Sequence, residues 1–129
     1  MRRVVVIDDE AGIRRTVEIV LTRAGYEVLL AANGNEGIRL CRETAPDLVI
    51  TDIHMPGADG FETIACLRTV YPGLPVIAIS GGDATERLEL LGSASLLGAV
   101  SSLRKPFTVR ELLEAVHRAL GSGMRAGEA

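Results

Sequence analysis

The chain has 129 residues, 47% of them hydrophobic and 24% charged, the balance of one ordinary globular domain. Fourteen Lys and Arg against seventeen Asp and Glu leave a net charge of −3, which gives no electrostatic footprint for direct nucleic acid binding. The longest apolar run, Val28 to Ala32, is far too short to span a membrane.

The first apolar run, Val4-Val5-Val6-Ile7, is short and unbroken, as expected of a strand covered on both faces. Asp8, Asp9 and Glu10 end it, too early for the preceding Met1-Arg2-Arg3 to open an export signal. Ile13, Val17, Val20, Leu21 and Ala24 then recur at helical spacing, and Gly25 stands where a left-handed residue would end that helix. Val28-Leu29-Leu30 predicts a second strand, and a weaker helical segment runs from about Gly34 to Thr44. Leu48-Val49-Ile50 predicts a third strand ending in Thr51 and Asp52. Phe61, Ile64, Ala65 and Leu67 mark a helix from about Gly60 to Val70.

Val76-Ile77-Ala78-Ile79 predicts the fourth strand, ending in Ser80, and a poor helical pattern covers about Ala84 to Leu97. Ala99 to Leu103 is the weakest strand, and Lys105-Pro106 follows it. The last stripe is Val109, Leu112, Leu113, Val116 and Leu120, with Thr108 and Glu111 as a capping box and Gly121 as its stop.

Strands alternating with helices predict an α/β fold, a single flavodoxin-like doubly wound domain. Its five parallel strands would lie in the order 2-1-3-4-5, with five helices. Residues 1–121 are expected to form the domain and residues 122–129, small and polar, a flexible tail. Cys41 and Cys66 form no C-x-x-C pair, so both are expected to be reduced, helix-borne thiols that pack as small hydrophobes. With no export signal, the expected location is the cytoplasm.

Ligands of open parallel sheets bind beyond the carboxyl ends of the strands. Four of the five strands deliver Asp8 and Asp9, Asp52, Ser80 and Lys105 to that rim. Two like charges about 4 Å apart repel by roughly 4 kcal/mol at an effective dielectric near 20. Three carboxylates facing one lysine must therefore bind a cation, take up protons, or both. Oxygen ligands without cysteine or histidine point to Mg²⁺ or a similarly hard ion. Asp52 could then act as a nucleophile toward phosphorus, with Ser80, Lys105 and the metal stabilising charge on the phosphoryl oxygens. Taken alone, Asp8 and Asp9 could equally cap the helix starting near Ala11.

These residues resemble the receiver domain of bacterial two-component response regulators. The resemblance spans roughly Arg3 to Leu120. It is carried by Val-Val-Val-Ile-Asp-Asp-Glu in the first strand and by Asp-Leu-Val-Ile-Thr-Asp-Ile-His-Met-Pro-Gly-Ala-Asp-Gly from Asp47. Pro-Val-Ile-Ala-Ile-Ser-Gly from Pro75 and Lys-Pro-Phe at Lys105 complete it.

The resemblance implies that Asp52 accepts a phosphoryl group from a histidine kinase. Asp9 matches a direct Mg²⁺ ligand, and Asp8 its neighbour, which reaches the metal through water. His54 stands where the family supplies a backbone carbonyl ligand, Ser80 matches the hydroxyl that contacts the phosphoryl group, and Lys105 matches the family's cation. The Lys105–Pro106 bond is often cis in the family. Implied partners are a sensor histidine kinase or phosphotransfer protein and a downstream protein or output domain, with a homodimer also open.

Two positions depart from the family pattern. Ser102 stands where Tyr or Phe is usual, which puts the coupling of Ser80 to an output face in question, and the segment from Ser80 to Lys105 is longer than usual. Two other functions compete with phosphoacceptor signalling. A dehalogenase-like phosphohydrolase would need an Asp-x-Asp on the first strand, which here has adjacent Asp8-Asp9. A phosphate-independent interaction or dimerisation module is opposed by the complete acidic set.

Overall fold

The computed structural model describes residues 1–53, 60–81 and 101–124. The elements are β1 (Arg3–Ile7), α1 (Ala11–Arg23), β2 (Glu27–Ala31), α2 (Gly34–Thr44), β3 (Leu48–Asp52), α3 (Gly60–Val70), β4 (Val76–Ser80), β5 (Ser101–Arg104) and α4 (Val109–Met124). All strand pairs are parallel and the sheet order is β2-β1-β3-β4-β5, as the alternation of elements predicts. Among the described residues there are four helices. The fifth expected helix, Ala84 to Leu97, lies outside the described residues.

Successive strand residues point to opposite faces, which explains why the strand sequences are apolar without alternation. Val4, Val6, Leu48, Ile50, Ile77 and Ile79 join one buried cluster with Val17 and Leu21 of α1 and Leu112, Val116 and Leu120 of α4. Val5, Ile7, Val49, Val76 and Ala78 join a second with Cys41 of α2 and Ile64 and Leu67 of α3. Full burial of each such aliphatic side chain contributes about 1.5–3 kcal/mol. α2 packs so closely on β1 that a Cβ at Gly37 would lie 2.2 Å from Ile7 Cδ1, a position only glycine can fill as the chain stands.

The helix ends obey local chemistry. Gly25 takes φ +100° after α1. Asn33 accepts the Glu36 N–H at 2.9 Å, and Glu36 Oε1 accepts the Ala32 N–H at 2.7 Å, closing the start of α2. The capping box of α4 is formed: Thr108 Oγ1 accepts the Glu111 N–H at 3.0 Å and Glu111 Oε1 accepts the Thr108 N–H at 2.8 Å.

Two expected boundaries shift. β5 runs through Ser101–Arg104, one residue past the expected end at Leu103, because Arg104 pairs with Ser80 of β4; Ala99 and Val100 lie outside the described residues. α4 continues through Gly121 to Met124. A glycine costs a helix about 1 kcal/mol relative to alanine but still makes its backbone bonds, so it need not be a stop.

Candidate functional site

Strand register builds the site. Ile7 pairs with Thr51, Asp52 with Ile79, and Ser80 with Arg104, so the strands end at one level and the next residues share one rim. Main-chain bonds continue just beyond the ladder: Ile53 N–H donates to Ile79 at 3.0 Å and Lys105 N–H to Ser80 at 2.7 Å. The sheet thereby brings together Asp8, Asp52, Ser80 and Lys105, all four expected from the sequence.

Asp8, Asp52 and Ser80 are buried. Lys105 Nζ donates to Asp52 Oδ2 at 2.8 Å and lies 3.4 Å from Asp8 Oδ2. Asp8 Oδ1 accepts the Glu10 N–H at 2.9 Å, whereas Asp8 Oδ2 has no hydrogen-bond partner. Ser80 Oγ is likewise buried, and neither oxygen has a hydrogen-bond partner among the described residues. Leaving such atoms unsatisfied typically costs about 1–3 kcal/mol each. The Lys105–Pro106 peptide bond is cis, as the resemblance implies.

The electrostatics follow from this burial. Desolvation, and secondarily the charge of Asp52, pushes the Asp8 carboxyl up from 3.8 to about 6, against the opposing pull of the Glu10 N–H and Lys105. Burial alone would lower Lys105. Hydrogen bonds to Asp52 and Glu10, then the charges of Asp52 and Asp8, outweigh it and hold the ammonium above its ordinary value. Lys105 is therefore a fixed cation.

Sequence reasoning missed Glu10. Its Oε1 accepts from Lys105 Nζ at 2.7 Å, and one carboxylate oxygen from each of Asp8, Glu10 and Asp52 lies within 4.8 Å of the others. The only sequence signal was its place after Asp8-Asp9, since its partner lies 95 residues away. Asp9 is exposed beside this group, and its oxygens are not among those gathered there. His54 lies outside the described residues. Capping does not account for the acidic run: Glu10 occupies the N-cap of α1 with no side-chain cap bond, and Asp8 is buried in the sheet rim.

The donors are all oxygen, and a fully buried carboxylate oxygen has no hydrogen-bond partner among the described residues, so the cluster fits a hard divalent cation. Ser102 is exposed and sits opposite Ala78, leaving the β5 position without a ring. Cys41 and Cys66 are free thiols on α2 and α3. Burial, then the proximity of Cys66, pushes the Cys41 thiol up to about 11, so Cys41 packs as an inert hydrophobe. Among the described residues no helix is long and apolar enough to cross a membrane.

Comparison with known proteins agrees with this geometry. Residues 4–117 match the response regulator receiver domain. A receiver domain protein from Clostridium thermocellum is 32% identical, with a TM-score of 0.87 over 95% of this chain and 96% of the other. The chemotaxis protein CheY4 of Vibrio cholerae is also 32% identical, with a TM-score of 0.85 over 93% and 99% of the two chains. NtrX from Brucella abortus is 32% identical, with a TM-score of 0.89, and the match covers 95% of this chain but 28% of that longer one.

The chain belongs to the response regulator receiver domains. Its function is that of a phosphoacceptor domain in two-component phosphorelay signalling. Domains of this family interact with kinases or phosphotransfer proteins and with output domains.

Proposed function

We propose that Asp52 accepts a phosphoryl group from a sensor histidine kinase or a phosphotransfer protein in a Mg²⁺-dependent step, and that a downstream protein or output domain reads the modified state. One observation carries this: Lys105 binds Asp52 at 2.8 Å while a fully buried oxygen of Asp8 beside it has no hydrogen-bond partner. A pocket with more carboxylates than cations is suited to a divalent ion and a reactive aspartyl oxygen together.

In the transfer, a carboxylate oxygen of Asp52 forms a bond to phosphorus as the bond from phosphorus to the donor histidine nitrogen breaks. The nitrogen keeps the electron pair. Lys105 stabilises the charge on the phosphoryl oxygens, which is the main catalytic demand of such transfers. The Ser80 hydroxyl, which has no hydrogen-bond partner among the described residues, supplies a further donor. Asp8, Asp9, Asp52 and the backbone carbonyl of His54 would hold Mg²⁺, which neutralises negative charge between carboxylates and phosphate. The domain would catalyse only its own phosphorylation and dephosphorylation. A cytoplasmic setting belongs to the same proposal.

The test is intact mass after incubation with acetyl phosphate and Mg²⁺. One added phosphoryl group is expected in the wild type and none in Asp52→Asn. A gain retained in Asp52→Asn, or no gain with any phosphodonor, would overturn the assignment.

A further inference from the structure

We infer that Glu10 is a positioning residue for Lys105: its carboxylate holds the ammonium in the unmodified domain and is the partner Lys105 releases when a phosphoryl group arrives on Asp52. This rests on Asp52 being the acceptor.

The contact between Glu10 Oε1 and Lys105 Nζ, 2.7 Å, is the shortest of the three that Lys105 makes with carboxylates; Asp52 follows at 2.8 Å and Asp8 at 3.4 Å. An ammonium has three N–H donors. Two of them are used, on Glu10 and Asp52. A phosphoryl group on Asp52 brings a more highly charged set of oxygens that competes for the ammonium, and the carboxylate least costly to release gives way. Exposure decides which. The side chains of Asp8 and Asp52 are 0% and 4% exposed, whereas that of Glu10 is 60% exposed. A buried carboxylate that loses its cation is left without compensation, while an exposed one is rehydrated at once.

The backbone at Glu10 is independent of this contact. Its N–H donates to Asp8 Oδ1, its carbonyl accepts the Arg14 N–H at 3.1 Å, and its side chain does not cap α1. The side chain can therefore change partners without disturbing the start of the helix. Its exposed negative charge also adds to the repulsion of an anionic donor at this rim, so Glu10 would restrain the reaction twice, by occupying Lys105 and by repelling phosphate.

With acetyl phosphate as donor, the Asp52 oxygen–phosphorus bond forms as the phosphorus–oxygen bond to acetate breaks. Acetate leaves with the electron pair, and Lys105 exchanges Glu10 for a phosphoryl oxygen without transferring a proton. The experiment compares the wild-type chain with Glu10→Gln at saturating Mg²⁺, following intact mass against time, with Mg²⁺ affinity measured by calorimetry. Glu10→Gln should be modified about threefold to fivefold faster at low salt, the size of an exposed ion pair. The gap should close at roughly 0.5 M salt, which screens exposed charges.

Equal rates at low salt, with the wild type modified normally, would overturn the role of Glu10 alone. Slower modification with a Mg²⁺ affinity more than about tenfold weaker would also overturn it, since Glu10 would then be holding the metal. A wild type that gains no mass would remove the Asp52 assignment and this inference together.

Discussion

At the amino end of β1, the Arg3 guanidinium donates to Glu27 Oε1 at 2.9 Å and to the Thr44 carbonyl, and the Arg3 N–H donates to Asp47 Oδ2 at 2.8 Å. Here the charges are partly exposed and each has a partner. A cavity of about 360 Å³ lies at this end, lined among others by Arg2, Pro46, Tyr71 and Leu74, and no buried unpartnered polar side-chain atom among the described residues belongs to its lining. At the carboxyl end of the same sheet, Asp8 and Ser80 each keep a buried oxygen with no hydrogen-bond partner among the described residues, and three carboxylates crowd one lysine. Among the described residues, buried oxygens go without a hydrogen bond at one end only. The difference separates charge that closes a fold from charge held ready for a ligand.

The largest effect that would break this contrast is at Lys105. Lys105→Met should slow modification by acetyl phosphate about 100-fold, as expected for loss of one donor to developing charge. It should also cost the metal-free protein about 3 kcal/mol at pH 8, by leaving buried carboxylates without their cation. Urea unfolding with and without Mg²⁺ measures the second effect, and a rate within threefold of wild type would refute the first.

Asp8 tests the same end by pH. Its carboxyl sits near 6 in the folded protein against an ordinary 3.8, so the native state holds the proton more tightly than the unfolded chain does. Stability of the metal-free protein should therefore fall as pH rises from about 4 to about 6, by at most about 3 kcal/mol. Asp8→Asn should lack this slope and be the more stable protein at pH 7.5, while losing metal affinity. Parallel pH profiles for the two proteins would be the contrary result.

Gly37→Ala sharpens the comparison from beneath the rim. The new methyl would collide with Ile7, one residue before Asp8, at a cost of about 2 kcal/mol by overpacking. Ile7→Val removes Cδ1 but keeps Cγ1, which would lie 2.5 Å from the new methyl, so the double variant should recover only part of the loss, read as denaturation midpoints. The smallest effect belongs to the amino end. Arg3→Ala should cost about 1 kcal/mol or less and leave the modification rate unchanged, since its ion pair is half exposed.

Much of this contrast is legible in the sequence where a residue's role depends on near neighbours. α2 at Gly34–Thr44 and α3 at Gly60–Val70 follow from apolar spacing, and the Thr108–Glu111 box from a three-residue interval. Asp8, Asp52, Ser80 and Lys105 were readable because each terminates or follows a strand, and parallel register brings strand ends to one level. Glu10 was not readable, because its contact depends on how far Lys105 reaches across the rim. The later end of β5 was hidden for a related reason: a strand with two serines shows little periodicity, and its end at Arg104 comes from pairing with Ser80 of β4. Gly121 misled because glycine lowers helix propensity without forbidding the helix.

The bond from the Lys105 amide to the Ser80 carbonyl, 2.7 Å long, ties the cation's own peptide unit to that of the hydroxyl residue. Main chain, rather than a relay of side chains, thus links two groups that would grip the same phosphate. The two groups therefore sit at the ends of neighbouring strands of one ladder, at the edge where the sheet ends.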